Sequence, residues 1–478
     1  MKRYFLFCSL LLTLFACTRD KDNNLILKSK LTNFTVSVDE RQGHFAIINW
    51  TQSIDLYRSD SIKYDIVLNG RTVKQGLTQL RDTLRNLVSD SFYSGLVIAR
   101  SSSGDSLSAP FELKKLKGFL YLIKDDRALY CLELYSHQLI WKYPATTGAD
   151  FNGIPLVSNN IVYVPVRGGY LQALNALTGE PIWRTAMDYI ADDLSAPILK
   201  NGKVIVGTNN GTYALNATTG AIEWSFKNDK FPPICNPVAG DNYIFVAVND
   251  GTSNFPPFQP PKMLALDVKD GSQKWQFPLP PSEIISKSPT VINGLLIFTS
   301  DKGIIYALNQ ANGSVAWQLD ISQGSNRCAL KSPLAYKGLV VVWANMTGYL
   351  GINATTGKIV WSIPNSNFSY DVSAACLGDS AAYYVDYADN SLMSVTSKLV
   401  AFNPLNGTVK YRSNCSGISY SPLCVKQTVY LQNSNEIGIH TASSGTFTGT
   451  VPWSFGVGRI TISEDDSVYY APESGMSR

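Results

Sequence analysis

From residue 118 to the C-terminus the chain repeats one phrase about eight times, and a repeat of this period settles the architecture before any local argument begins. One copy reads SAPILKNGKVIVGTNNGTYALNATTGAIEWSF (195–226), another SPTVINGLLIFTSDKGIIYALNQANGSVAWQL (288–319) and a third SPLAYKGLVVVWANMTGYLGINATTGKIVWSI (332–363). A closing aromatic falls at Trp141, Trp183, Trp224, Trp275, Trp317, Trp361, Tyr411 and Trp453, at spacings of 42, 41, 51, 42, 44, 50 and 42 residues. Within each unit four short β-rich runs alternate with Gly, Asn or Asp turns, which gives one four-stranded blade per repeat. In the copy starting at Ser195 the strands are expected near 196–199, 204–208, 211–216 and 222–226. Asn201-Gly202 and Thr219-Gly220 then fall at turns that need positive φ.

A lone four-stranded sheet cannot bury both faces, so the blades must stack radially. The small residue of the third strand (Ala173, Ala214, Ala265, Ala307, Ala401) is expected to leave room for a bulky side chain of a neighbouring blade. The aromatic series reads as core, since each such ring removes roughly 150–250 Å² from water.

The ending A-L-[ND]-x-x-[TDN]-G-x-x-x-W resembles the tryptophan-docking repeats of PQQ-type eight-bladed β-propellers, the family of quinoprotein alcohol dehydrogenases and of BamB-like outer-membrane assembly lipoproteins. The resemblance implies an all-β fold with an eight-bladed propeller over 116–478, and by itself implies no function. The first unit (118–143) lacks an innermost strand, while the tail 458–472 looks like the opening of a repeat with nothing after it. The tail is therefore expected to complete blade one. An extra strand at 467–471 is the alternative.

Residues 31–115 carry alternating runs such as HFAIINWTQ and FYSGLVIARSSSGDSLSAPFEL, in a length that suits one seven-stranded β-sandwich. With Trp50, Tyr64 and Tyr93 on its second, third and later strands and no Cys pair, this segment resembles a fibronectin type III domain, which implies a spacer or an adhesive module, the spacer being the favoured reading.

Residues 1–16 have a basic start (Lys2, Arg3) and an apolar run too short to span a bilayer, which reads as a signal peptide. Leu14-Phe15-Ala16-Cys17 resembles a bacterial lipobox, which implies cleavage and acylation of Cys17, as by palmitate, anchoring the chain through its lipid. Residues 17–30 form a polar tether. Thr18, in place of the Asp that retains lipoproteins at the inner membrane, points to the outer membrane, on its periplasmic side or at the cell surface.

Only 16% of residues are charged, and the net charge of +4 falls to +2 once Lys2 and Arg3 leave with the signal. No basic stripe for a phosphate backbone results, so nucleic acid is not an expected partner. Six cysteines remain after Cys8 and Cys17 are set aside: Cys131, Cys235, Cys328, Cys376, Cys415 and Cys424. Cys376 and Cys424 align at one place on innermost strands of adjacent blades, which are expected to lie too far apart to bridge. Cys415 with Cys424 is the pair singled out for a disulfide.

For quinoproteins the resemblance implies PQQ above the propeller axis, a Ca²⁺ held by Glu and Asn, a catalytic Asp and often adjacent cysteines. This chain has no Cys-Cys, its blades are near minimal length, and Asp192, Asp193, Asp371 and Glu283 form no recognisable ligand set. Three scattered histidines, His44, His137 and His440, assemble neither a triad nor a metal site. The reading is a non-enzyme with no cofactor and no metal.

What remains is a surface. Interblade linkers and the loops between second and third strands share one face, and nearly all length variation falls there: the loops 250–262 and 386–398 and the linkers 185–194 and 320–331. Aromatics on this face, Tyr189, Phe231, Phe255, Phe258, Phe368, Tyr370, Tyr387 and Tyr420, with Phe151 beside them, form the candidate partner-binding set. The expected function is a lipid-anchored envelope scaffold whose partner is another envelope protein, of the outer-membrane β-barrel kind, in outer-membrane protein assembly. The alternatives are a surface lipoprotein that stacks glycan on those rings and a PQQ-dependent oxidoreductase.

Overall fold

The computed structural model describes residues 31–40, 46–59, 61–84, 87, 92–114, 118–123, 126–134, 136–144, 151, 153–190, 196–227, 235–248, 260–285, 287–325, 328, 330–364, 372–387, 397–415, 421–432, 436–452, 460–464 and 467–470. Every regular element among them is a β-strand. The chain divides into two compact units at residues 115/116.

In the first unit, β1 (Val36–Glu40), β2 (Ala46–Trp50) and β5 (Arg81–Leu84) form an antiparallel sheet in the order β1-β2-β5. A second sheet runs β4 (Arg71–Leu77), β3 (Lys63–Leu68), β6 (Phe92–Arg100), β7 (Ser106–Lys114). The two-residue period of a strand sends Ala46, Ile48 and Trp50 inward, where they meet Tyr64, Ile66, Val97 and Leu113. Tyr64 lies 5.5 Å from the Trp50 ring, and its hydroxyl accepts the Ser53 N–H at 2.8 Å.

The second unit is the propeller. Blades two to eight occupy 156–186, 198–227, 238–278, 290–320, 334–363, 376–415 and 423–452, each a four-stranded antiparallel sheet in sequence order. First strands of neighbouring blades touch, so they line the axis and the fourth strands form the rim. In blade three the strands are Ile198–Lys200, Lys203–Thr208, Gly211–Asn216 and Ile222–Lys227, within two residues of the sequence expectation. Blade one is closed by the C-terminus. Ile460–Glu464 pairs with Gly118–Ile123 as the missing first strand, and Ser467–Tyr470 adds a fifth strand inside it, so the tail does both things the sequence left open.

The repeat phrase has a physical meaning at each position. Asn175 ends the third strand of blade two, and its Oδ1 accepts the N–H groups of Leu177 and Thr178 at 2.9 and 3.0 Å, closing the turn. Gly179 follows at φ +73, and an added Cβ would lie 2.6 Å from the Trp141 ring of the preceding blade. The glycine is thus required by its backbone and by the indole lying on it. The Trp141 Nε1–H donates to Ala176 O at 3.0 Å, so one side chain both covers and hydrogen-bonds the next blade's turn. The same docking recurs from Trp183 to Ala217 O, Trp224 to Val268 O, Trp275 to Gln310 O, Trp317 to Ala354 O, Trp361 to Pro404 O and Tyr411 to Ala442 O, at 2.8–3.2 Å.

Two expectations are corrected by the register. The small third-strand residue makes room for its own blade's aromatic: Ala173 faces Trp183, Ala214 faces Trp224 and Ala265 faces Trp275 across the sheet. The aromatic then reaches forward to the next blade. In blade eight the position opposite Ile439, where the other blades carry the aromatic, is Gly449, and Trp453, counted as that blade's closing aromatic from the repeat spacing, lies outside the described residues. The turn on which blade eight's ring would have docked carries His137 at φ +57 where the other turns carry glycine. Loss of the ring and loss of the glycine go together, and the boundary between blades eight and one is filled instead by Leu120, Leu122, Leu423, Tyr430, Ile437, Ile460 and Ile462.

Candidate interaction face

Main-chain bonds assemble the face on which interblade linkers and second-to-third-strand loops meet. Phe151, Ile285, Leu330 and Val372, all in linkers, form single β-bridges to Val166, Ser300, Ala344 and Asp386 at or just past the ends of the second strands they precede. Phe151 is buried by its bridge and belongs to the framework, so it is not part of an exposed binding set.

Tyr189 is the one member of the candidate set whose side chain is described. It is 45% exposed, its Oη accepts the Arg167 Nε–H at 2.9 Å, and its carbonyl accepts the Asn209 N–H at 2.8 Å. Arg167 and Asn209 lie in the loops of blades two and three, so Tyr189 stands between two blades and is held from both sides. Tyr387 ends the second strand of blade seven opposite Ser397. Phe231, Phe255, Phe258, Phe368, Tyr370 and Tyr420 lie outside the described residues, as do Cys17, Asp192, Asp193, Asp371 and His44.

The structure adds groups that the sequence reading missed. Asp188 accepts the Tyr213 hydroxyl at 2.6 Å, and Glu283 accepts the Tyr306 hydroxyl on both oxygens at 3.1 and 3.0 Å. In both places a linker carboxylate is met by the tyrosine that stands immediately before Ala-Leu in the next blade's third strand. Burial, and then the carboxylate beside each, push the two hydroxyls above their ordinary range and hold them as donors. A Tyr at that position beside an acidic linker was the available signal. Glu283 is thereby a structural acceptor, and Ile284 next to it is exposed at 46%. Between blades six and seven a small cleft is lined by Trp343, Tyr349, Tyr384, Val372 and Asp386, with Arg412 paired to Asp386 at 3.1 Å.

His137 and His440 are both in third-to-fourth-strand turns or beside them, on blades one and eight. His440 is buried at the position that holds Leu215, Leu266 or Leu308 in other blades, with Nδ1 3.0 Å from Gly445 O. Among the described residues, no three His, Cys, Asp or Glu side chains gather in a group that could hold a metal ion.

The docked rings and the closing strand define an eight-bladed PQQ-type propeller. A family described as "Outer membrane protein assembly factor BamB" matches residues 93–227 and 213–455, more than half of the chain, and the chain belongs to that family. Similar proteins include outer membrane protein assembly factor BamB of Moranella endobia, 25% identical over 53% of this chain and 71% of that protein. The BamB of Yersinia pestis is 27% identical over 52% of this chain and 63% of its own length. Tetrathionate hydrolase of Acidithiobacillus ferrooxidans is 24% identical over 51% of this chain and 46% of that enzyme. The matched stretch thus spans about half to three quarters of these relatives. Among solved structures, AztD of Citrobacter koseri superposes with a TM-score of 0.51 at 10% identity, over 76% of this chain and 100% of that one, a likeness of fold.

Proposed function

We propose that this protein is a non-catalytic envelope scaffold, anchored through lipid on Cys17, that binds another envelope protein through the linker face of the propeller and serves in outer-membrane protein assembly. The observation that carries the reading is the family match over 93–455 on a ring whose recurrent polar groups are spent on architecture. Among the described residues, the docked indole N–H groups, the turn asparagines and the linker carboxylates Asp188 and Glu283 are engaged by the protein itself. What varies from blade to blade is the linker face, where Tyr189 and Ile284 are exposed on a bonded framework and where an aromatic partner surface is favoured. A relative named as a hydrolase keeps catalysis among the alternatives. The strand orders β1-β2-β5 and β4-β3-β6-β7 support a fibronectin type III-like spacer between the 17–30 tether and the propeller.

The test is a photo-crosslinking residue placed at Phe255 or Tyr189, with Leu139 on the rim as control, in cells that make the full chain. Capture of an outer-membrane β-barrel or its assembly machinery from the two face positions, with capture from Tyr189 lost on Phe255→Ala/Phe258→Ala at unchanged thermal stability, supports the proposal. Capture from the rim only, or none, refutes the face assignment. Failure of Cys17→Ser to abolish incorporation of a palmitate analogue refutes the anchor.

A further inference from the structure

Two cysteines of the propeller do not behave as the sequence alignment suggested. Cys376 pairs with Tyr383, whereas the residue of blade eight in that register is Leu423, paired with Tyr430. Cys424 pairs with Val429 and is therefore one residue out of step with Cys376. Successive residues of a strand point to opposite faces, so this offset turns the two side chains toward each other. Cys376 faces blade eight, as does Tyr383, whose hydroxyl donates to Ala442 O at 3.1 Å. Cys424 faces back toward blade seven, and both thiols lie in one buried cluster with Tyr383, Val429 and Leu431.

The approach is close. An added Cβ on Gly378, two residues from Cys376, would sit 2.5 Å from the Cys424 sulfur, and the first strands of blades seven and eight lie side by side. The Cys424 main-chain N–H is near enough to stabilise a charge on the Cys376 sulfur. Cys415 stands at the other end of its strand. It follows Tyr411, which docks beside Cys424, by four residues, about 13 Å along a strand. Cys415 is half-buried against the edge of the same cluster, so the Cys415–Cys424 pairing expected from sequence is the rival outcome of the mapping described below.

We propose that Cys376 and Cys424 are a built disulfide site that, when oxidised, staples blade seven to blade eight, beside the blade boundary at which no docked ring is found among the described residues. The oxidant is a disulfide of the thiol-exchange class. One cysteine thiolate attacks it and releases a thiol, and the second thiolate then attacks the mixed disulfide. Two protons leave the protein thiols, a Cys376–Cys424 bond forms, and the oxidant's disulfide is reduced to two thiols. The bond replaces the weak 3.6 Å contact from Cys424 Sγ to Lys426 O. Burial raises both thiols, Cys424 to about 12, so little thiolate exists in the packed ring. The site is therefore filled while the blades are still folding, and the finished bond resists reductant.

Whether the bond forms in the cell rests on the export reading under Proposed function, while the geometry does not, so two preparations are compared. Purified full chain is unfolded, refolded in oxidised and reduced glutathione, alkylated and peptide-mapped. The expected result is a 376–424 cross-linked peptide and a melting temperature several degrees above that of the same protein refolded reduced, a gain absent in Cys376→Ser/Cys424→Ser. A native-like refolded protein with both thiols alkylated, or a 415–424 link, overturns the proposal. Protein taken from cells with thiols blocked at lysis is mapped in the same way. A bond present only after refolding in vitro would keep the site and count against export.

Discussion

At the residue scale the ring is held by a contact between two side-chain positions rather than by aromatic burial alone. Trp224 covers Gly271, which sits at φ +71, and donates to Val268 O. Gly271→Ala places a methyl 2.5 Å from the indole in a left-handed conformation, and is expected to cost at least about 2 kcal/mol. In a Trp224→Ala background the ring is gone, and the same change should cost only the backbone part, about 1 kcal/mol. Denaturant unfolding of the four proteins measures the coupling, and additive costs would show that ring and glycine act separately. His440 gives a pH prediction. Its unfolded imidazole titrates near 6.5, and burial lowers the folded value despite the Gly445 carbonyl. Below that pH the unfolded chain takes the proton first, so stability is full above about 6.5 and falls as the pH drops toward the folded value. The loss of melting temperature between pH 7.5 and 5.5 should be smaller in His440→Leu, with a remainder from His137, which burial lowers in the same direction.

At the scale of the blade, the strands were legible because each repeat pairs a two-residue alternation with glycine turns, and the turns set the ends of every strand. The interblade chemistry was less legible. Trp453 stands 42 residues after Tyr411, as a repeat count would want, but spacing counted between aromatics ignores the turn, and Gly445 plus four residues is Gly449. Counting from the turn glycine, which has a φ to satisfy, gives the right register in every blade that carries one. The cysteine offset was missed for the same reason, since one residue of register exchanges the two faces of a strand. The candidate face was legible as a place, because loop length needs no geometry, but not as a set of contacts, because Arg167, Asn209 and Asp301 meet the linkers only in three dimensions. The register makes a paired forecast. Gly449→Ala meets nothing within 4 Å and should change stability by less than about 0.5 kcal/mol. Gly351→Ala would set its methyl 2.1 Å from Trp361 and should cost about 1–3 kcal/mol. Equal melting temperatures for the two variants would mean that blade six and blade eight close in the same way.

For the whole molecule the consequence is that seven boundaries are docked by rings and the eighth is closed by a strand. Between blades eight and one no indole fastens a turn among the described residues, and Ile460 and Ile462 from the C-terminus enter the aliphatic cluster with Leu120, Leu122 and Leu423. Thr461 between them donates its hydroxyl to Pro155 O at 2.6 Å, so the same short strand also reaches the chain leading into blade two. A propeller closed this way has no lone edge at its first blade, and edge exposure is what an open ring would present. Truncation after Gly458 removes the first strand of blade one together with its cluster residues. It should lower the propeller's melting temperature by 10 °C or more, on the order of several kcal/mol for two fully buried isoleucines and a lost strand pairing. Adding the peptide 458–472 in trans should restore part of that loss in proportion to its concentration, because it binds the folded ring alone. Truncated protein that melts like the full chain would show that the ring closes through blade eight and blade one without the tail.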